Sequence, residues 1–225
     1  MTAGLLLIRH GETACSRQGR FCGACDQPLT AAGVQAVRAL AGRLAHLLAG
    51  QARALLTSPA TRATQTAELL SARLGLPYGL DGRLAEMRFG AWEGRQISSL
   101  AGVTGYESWV ADPVLFAPPG GEPGAAVLAR ALAAVRELAE RHPDGLALVV
   151  SHKHLIRLVV AHARGLPLRG YRSSVAVPHA SVTVLRFDSR GLAVAAAPES
   201  GDPGTGAAIT ELSHRPRGAG HDIGG

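Results

Sequence analysis

The chain has 225 residues, 47% of them hydrophobic and 4% aromatic, which is enough apolar material for one domain with a core filled mostly by alanine and leucine. Its formal charge is +6, yet the basic residues are scattered and no aromatic-basic stripe accompanies them, which argues against a nucleic-acid partner. Residues 1–8 lack a basic leader and are too short an apolar run for a signal or a membrane span, and three cysteines are an odd set with no disulfide framework, so a reducing cytoplasm is expected.

Leu5–Ile8 is a short apolar run that ends at Arg9-His10-Gly11, which reads as a buried strand followed by a loop. Thr30 is placed to N-cap a helix whose apolar stripe is Val34, Val37, Leu40, Leu44 and Leu47, with Leu29 and Val34 spaced as a hydrophobic staple. Ala54–Leu56 predicts a second strand that runs into Thr57-Ser58-Pro59. There Ser58 is the N-cap candidate and Pro59 the first helical residue of a helix reaching about Leu74, before Gly75 and Pro77. Residues 81–122 are irregular, rich in glycine and proline, and hold both tryptophans; they read as an active-site surround or cap.

A long Ala/Leu/Arg helix is expected over Ala125–His142. Leu146–Val150 is a third apolar strand, ending at Ser151-His152 and followed by a helix to about Arg164. Ser181–Phe187 alternates as a strand, Ser189-Arg190-Gly191 is a turn, and Leu192–Ala197 can pair back as an antiparallel edge. Strands alternating with helices predict an α/β fold, a three-layer α/β/α sandwich around a mainly parallel sheet with an antiparallel edge strand. The domain is expected over residues 1–197. From 198 to 225 the composition shifts to glycine, proline, serine and charge, as in a flexible tail.

Ligands of parallel sheets bind beyond the carboxyl ends of strands, and three strands here end in Arg9-His10, in Thr57 to Arg62, and in His152. Transfer of a phosphoryl group needs fixed positive charge, a nucleophile, and an acid for the leaving oxygen. Arg9 and His10 offer the first two on one loop. Arg62 falls in the first turn of its helix, where free N–H groups and the positive dipole end favour an anion, and His152 opens a helix in the same way.

Taken in order, Leu7-Ile8-Arg9-His10-Gly11-Glu12-Thr13, Asp26-Gln27-Pro28-Leu29-Thr30 with Gly33, Ser58 through Ala67, Leu84-Ala85-Glu86, Phe89 through Gly94, Pro119-Gly120-Gly121-Glu122 and Val150-Ser151-His152 resemble the histidine phosphatase (phosphoglycerate mutase-like) superfamily. The likeness covers roughly the first four-fifths of the chain and is nearest to broad-specificity and α-ribazole-type phosphatases. It implies that His10 is the nucleophile, as a neutral imidazole with its other nitrogen held by a backbone carbonyl. Arg9, Arg62 and His152 would hold the phosphoryl oxygens. Glu86 would protonate the leaving alcohol and then deprotonate water, with Glu93 the competing carboxylate. The resemblance implies no metal and no cofactor, because arginines supply the positive charge.

The implied activity is hydrolysis of small phosphomonoesters through a phosphohistidine. A mutase is the nearer rival, disfavoured by the short Glu86–His152 interval, and a non-catalytic phosphate-binding scaffold is the distant one. The resemblance names a phosphorylated small molecule as the partner and leaves room for a homodimer. Arg88, Tyr106, Trp109 and Lys153 are the candidates to read the rest of the substrate, although the tryptophans also suit packing and Lys153 also suits a solvated position. Glu122, just before a helix, fits a helix-dipole role. Ser16 stands where the family often has asparagine, and Lys153-His154 follow His152 where it often has glycines. The Cys22-Gly23-Ala24-Cys25 pair, with Cys15 nearby, lacks a second pair or spaced histidines and is read as coincidence.

Overall fold

The computed structural model describes residues 2–197, and the tail expected over 198–225 lies outside the described residues. In chain order the elements are β1 (Ala3–Arg9), α1 (Ala14–Arg17), α2 (Ala31–Leu48), β2 (Ala52–Thr57), α3 (Thr61–Leu74), β3 (Tyr78–Leu80), α4 (Tyr106–Ala111), α5 (Gly124–Arg141), β4 (Leu146–Ser151), α6 (Lys153–Ala163), α7 (Tyr171–Ser174), β5 (Val182–Asp188) and β6 (Gly191–Ala196). The strands form one sheet in the order β3-β2-β4-β1-β5-β6. β3, β2, β4 and β1 run parallel; β5 is antiparallel to both β1 and β6.

Every residue of β1 and β4 is buried, because helices cover both faces of the sheet, and this is why these strands read as unbroken apolar runs. The pleat sorts their side chains. Leu5 and Leu7 enter the core shared with Val127, Val135 and Leu138 of α5 and Leu155 and Val159 of α6. Leu6 and Ile8 enter the opposite core, with Val37, Leu40 and Leu44 of α2 and Ala63 and Leu70 of α3. The outcome is the expected three-layer sandwich.

Two local expectations are corrected. Thr30 does cap α2, accepting from the Gly33 N–H at 3.0 Å, but Ser58 does not cap α3. That helix starts at Thr61 with Ala60 as its N-cap. The carboxylate of Asp26, distant in sequence, receives the Thr61 N–H at 2.8 Å and the Thr61 hydroxyl at 2.5 Å. The three-residue strand β3 escaped the sequence reading because Tyr78-Gly79-Leu80 is too short to show a period. Glu122 is also not a dipole partner for α5. It is buried and grips Arg130 with both oxygens, at 2.9 and 3.0 Å.

The sheet order sets three loops side by side. β4 lies between β2 and β1; Ser58 N–H donates to the Val150 carbonyl, and His10 N–H donates to the Ser151 carbonyl, each at 3.0 Å. The carboxyl ends of the three strands therefore carry Ser58, His152 and His10 to one place.

Candidate active site

The cleft above these strand ends is lined by Arg9, His10, Arg62, Glu86, Lys153 and His154, with Thr13, Ser16, Gly19, Arg20, Phe21, Cys22, Phe89 and Ile97 forming its other wall. His10 and His152 stand with ring centroids 5.1 Å apart. The Nδ1 of His10 lies 2.7 Å from the Gly11 carbonyl, an acceptor only, so the ring proton sits on Nδ1 and Nε2 keeps its lone pair. Burial, then the charges of Arg62 and Arg9, hold its pKa well below the ordinary histidine value, so the ring is neutral near pH 7.

Arg62 is nearly fully buried and its guanidinium is clamped. Nε donates to His152 Nδ1 at 3.2 Å, Nη1 to the Cys25 carbonyl at 3.0 Å, and Nη2 to the Cys22 and Gly23 carbonyls at 3.0 Å each. His152 is then a neutral ring whose Nε2–H meets Ser58 Oγ at 2.7 Å. Burial, and after it Arg62, keeps its pKa well below the usual range. Arg9 donates through Nη1 to the Val177 carbonyl and through Nη2 to His179 Nε2, both at 2.7 Å, while its buried Nε has no protein partner. Desolvation lowers the Arg9 pKa to about 10, which still leaves it charged.

The Glu86 carboxylate is seated at the N-terminus of α6. Oε2 accepts from His154 N–H at 3.1 Å, and Oε1 accepts from Met87 N–H at 3.0 Å and Leu155 N–H at 3.3 Å. Behind it Arg130 ties down the Arg83, Ala85 and Glu86 carbonyls while paired with Glu122. Glu93 is elsewhere engaged: its oxygens take the N–H groups of Gly23, Ala24, Cys25 and Phe89, so it organises loops and does not line the cleft.

A buried neutral histidine with a free ring nitrogen, facing arginines and one carboxyl, is the arrangement that phosphoryl transfer to nitrogen requires. Residues 5–198 match the histidine phosphatase superfamily (branch 1). The chain belongs to this family. An adenosylcobalamin/alpha-ribazole phosphatase of Escherichia coli K12 is 34% identical over 166 residues, covering 72% of this chain and 80% of that protein. A glucosyl-3-phosphoglycerate phosphatase of Mycolicibacterium vanbaalenii is 31% identical over 213 residues, covering 91% and 90%. Among solved structures, YhfR of Bacillus stearothermophilus superposes with a TM-score of 0.78 at 32% identity, covering 86% of this chain and 95% of that one. The chain spans about half the length of the mycobacterial relatives that match it at 35% identity, at 46% of each.

Against this histidine phosphatase frame the outer substrate residues need correction. Trp109 is fully buried, with Tyr106 stacked on it and the Arg172 guanidinium 4.2 Å from its ring centroid, so it packs and does not face a ligand. Tyr106 and Arg88 lie outside the cleft lining, and Arg88 is exposed. Lys153 does line it. Burial, then Arg157 and Arg9, lower its pKa to about 8.

Phe89 and Ile97 fall in the 81–122 stretch read as an active-site surround, without being singled out there; sequence reasoning missed Phe21 as a cleft wall and His179 as the partner of Arg9. The Pro178-His179 loop carried no motif; only its place just before β5 could have flagged it. Ser16, one of the departures from the family pattern, forms a reciprocal capping box with Thr13 at the start of α1. The fold brings the three cysteines together, although the bonded pair is not the C-x-x-C one. Cys15 and Cys22 form a disulfide, and Cys25 Sγ lies 2.9 Å from Cys22 Sγ.

Among the described residues no helix is long and apolar enough to cross a membrane.

Proposed function

We propose that the chain is a phosphomonoester hydrolase acting on phosphorylated small molecules through a phosphohistidine at His10. The observation that carries this reading is the Nδ1–H of His10 held on the Gly11 carbonyl, which leaves Nε2 unprotonated inside a cationic cleft. Nε2 attacks phosphorus, and the ester oxygen departs with a proton from the Glu86 carboxyl, the one carboxyl in the lining among the described residues. Glu86 then takes a proton from water as that water attacks the phosphohistidine, freeing inorganic phosphate and the neutral His10 ring. The fixed charges of Arg9 and Arg62, set in a buried site, stabilise the phosphoryl oxygens through both steps. His152 holds Arg62 in place; fully buried and outside the cleft lining, with its ring nitrogens engaged by Arg62 and Ser58, it acts by positioning Arg62 and not by the phosphoryl contact that the sequence suggested. The phosphatase names of the E. coli and M. vanbaalenii relatives support hydrolysis over transfer between hydroxyls.

The substrate we infer carries a second negative group beside its phosphate. Lys153 lines the cleft next to the phosphoryl site, and its ammonium is near enough to Arg9 for the two charges to repel, a situation an added anion relieves.

A rapidly quenched turnover should contain acid-labile, base-stable phosphate on His10, missing from His10→Ala. Full activity in that variant would sink the mechanism.

A further inference from the structure

The cysteine cluster lies outside the phosphoryl chemistry, yet the loop that bears it holds the chief cation of the cleft. The sulfurs of Cys15, Cys22 and Cys25 lie within 4.8 Å of one another. Cys15 is buried on α1; Cys22 is half-buried and lines the cleft. The carbonyls of Cys22, Gly23 and Cys25 receive the Nη1 and Nη2 N–H groups of Arg62, and Asp26, one residue on, caps the helix that carries Arg62. There is no slack on the other side. A Cβ on Gly23 would come within 1.9 Å of the Met87 carbonyl, immediately after Glu86. The position of Cys22 is thus transmitted to Arg62 by two hydrogen bonds within one residue of it, and to the Glu86 segment by direct contact.

We propose that Cys15 and Cys22 are a reversible oxidation site, and that the disulfide between them sets how firmly Arg62 is held for a phosphoryl group. The proposal rests on the reading of Arg62 as a phosphate ligand. With hydrogen peroxide as oxidant, the thiolate of the reachable Cys22 attacks one peroxide oxygen. The O–O bond breaks, and a sulfenic acid and water result once the departing hydroxide is protonated. The Cys15 thiol then attacks the Cys22 sulfur, the S–S bond forms, and the second water leaves with the thiol proton. In reverse, a small dithiol attacks the Cys22 sulfur, releases Cys15 as a thiol, and closes on itself to free Cys22; two electrons pass from the dithiol to the pair.

In the disulfide form the loop is tethered to α1, so the three carbonyls are pinned where Arg62 needs them. In the dithiol form the two sulfurs separate to non-bonded distance, the tether is gone, and Arg62 must be ordered when phosphate binds. Cys25 is the alternative partner for Cys22, and its own state decides which pairing persists. Burial first, and then the Glu93 carboxylate, push its thiol above the usual cysteine range, so it stays protonated near neutral pH and attacks slowly. The structure bonds Cys22 to Cys15 and leaves Cys25 as a free thiol, so the Cys15–Cys22 pair is the one assigned to the switch.

The test uses the full chain oxidised with hydrogen peroxide or reduced with dithiothreitol, each reagent then removed under argon. Disulfides are mapped by mass spectrometry, inorganic phosphate binding is measured by calorimetry, and amide hydrogen exchange is followed at residues 22–26 and Thr61. The oxidised protein should carry the Cys15–Cys22 bond, bind phosphate about tenfold more tightly, the value of one charge-assisted hydrogen bond, and protect the loop amides. Cys15→Ser and Cys22→Ser should show the weaker affinity under both treatments, whereas Cys25→Ser should still switch. Equal affinity and equal exchange in the two forms would overturn the proposal, as would a Cys22–Cys25 bond or a reduced protein that takes one zinc ion on its three thiols. Absent phosphate binding in both forms, with the exchange difference intact, would instead overturn the reading of Arg62 as a phosphate ligand.

Discussion

Arg62 donates its Nε proton to Nδ1 of His152 across 3.2 Å, between residues ninety positions apart in the chain. An arginine does not give up its charge, so this bond makes Nδ1 an acceptor and settles the His152 tautomer, with the proton on Nε2 facing Ser58 Oγ. The two residues are thus a unit: one supplies charge, the other aims it. Arg62→Lys should therefore lose more than a like-for-like cation would suggest, because an ammonium cannot bridge His152 and three carbonyls at once. A rise in phosphate Kd of about a hundredfold is expected, measured by calorimetry, with His152→Gln intermediate.

The proton inventory around Glu86 predicts a leaving-group effect. Glu86→Gln should slow hydrolysis of alkyl phosphates by about a hundredfold or more, and should slow formation of the phosphoenzyme much less with a nitrophenyl phosphate, which leaves without protonation. Glu93→Gln should lower the melting temperature, since it loosens four backbone N–H contacts, and should treat both substrates alike. Burst-phase kinetics on the two substrates decide between the carboxylates.

Acid should destabilise the fold early. His10, His152 and His154 are buried, and burial holds all three well below the ordinary histidine value, while His179 is lowered to about 4. The unfolded chain binds protons on these rings below about pH 6.5 and the folded chain does not, so their contribution is intact above that pH and is lost as pH falls. Each ring costs up to about 1.4 kcal/mol per pH unit in this window. Urea unfolding at pH 7.5, 6.0 and 5.0 should show stability falling along this slope; constant stability from pH 7.5 to 5.0 would mean the rings are solvated.

Lys153 yields a pH-dependent specificity. With its pKa near 8, the ammonium is present below that pH and lost above it, so KM for a substrate with a second negative group should rise as pH passes about 8. Lys153→Met should show the raised KM at every pH, while a simple aryl phosphate is nearly unaffected. Equal KM changes for both substrates would remove Lys153 from the binding surface.

The reach of Asp26 to α3 can be weighed by stability. Asp26→Ala removes a carboxylate that takes two hydrogen bonds at a helix N-terminus, and should cost about 1 kcal/mol by chemical denaturation. Phosphate affinity should fall with it, because the same helix presents Arg62.

Much of this was readable in one dimension. The sandwich follows from short apolar runs alternating with striped helices, because strands covered on both faces are apolar along their length up to the ends that carry Arg9 and Ser151, and helices covered on one face need a period near 3.6. Arg9, His10, Arg62 and His152 were legible for a local reason: each stands at a strand end or in a first helical turn, and short-range motifs mark those junctions. The rest depended on contacts between distant segments. Asp26 and not Ser58 meets the first turn of α3; Glu122 pairs with Arg130 and not with a helix end; Trp109 sinks under Tyr106 instead of facing the ligand; and an odd trio of cysteines gathers with its sulfurs within 4.8 Å of one another beside Arg62. Hydrogen bonds, ion pairs and disulfides act over a few ångströms of space, and separation along the chain does not reveal which loops the packed sheet will bring that close.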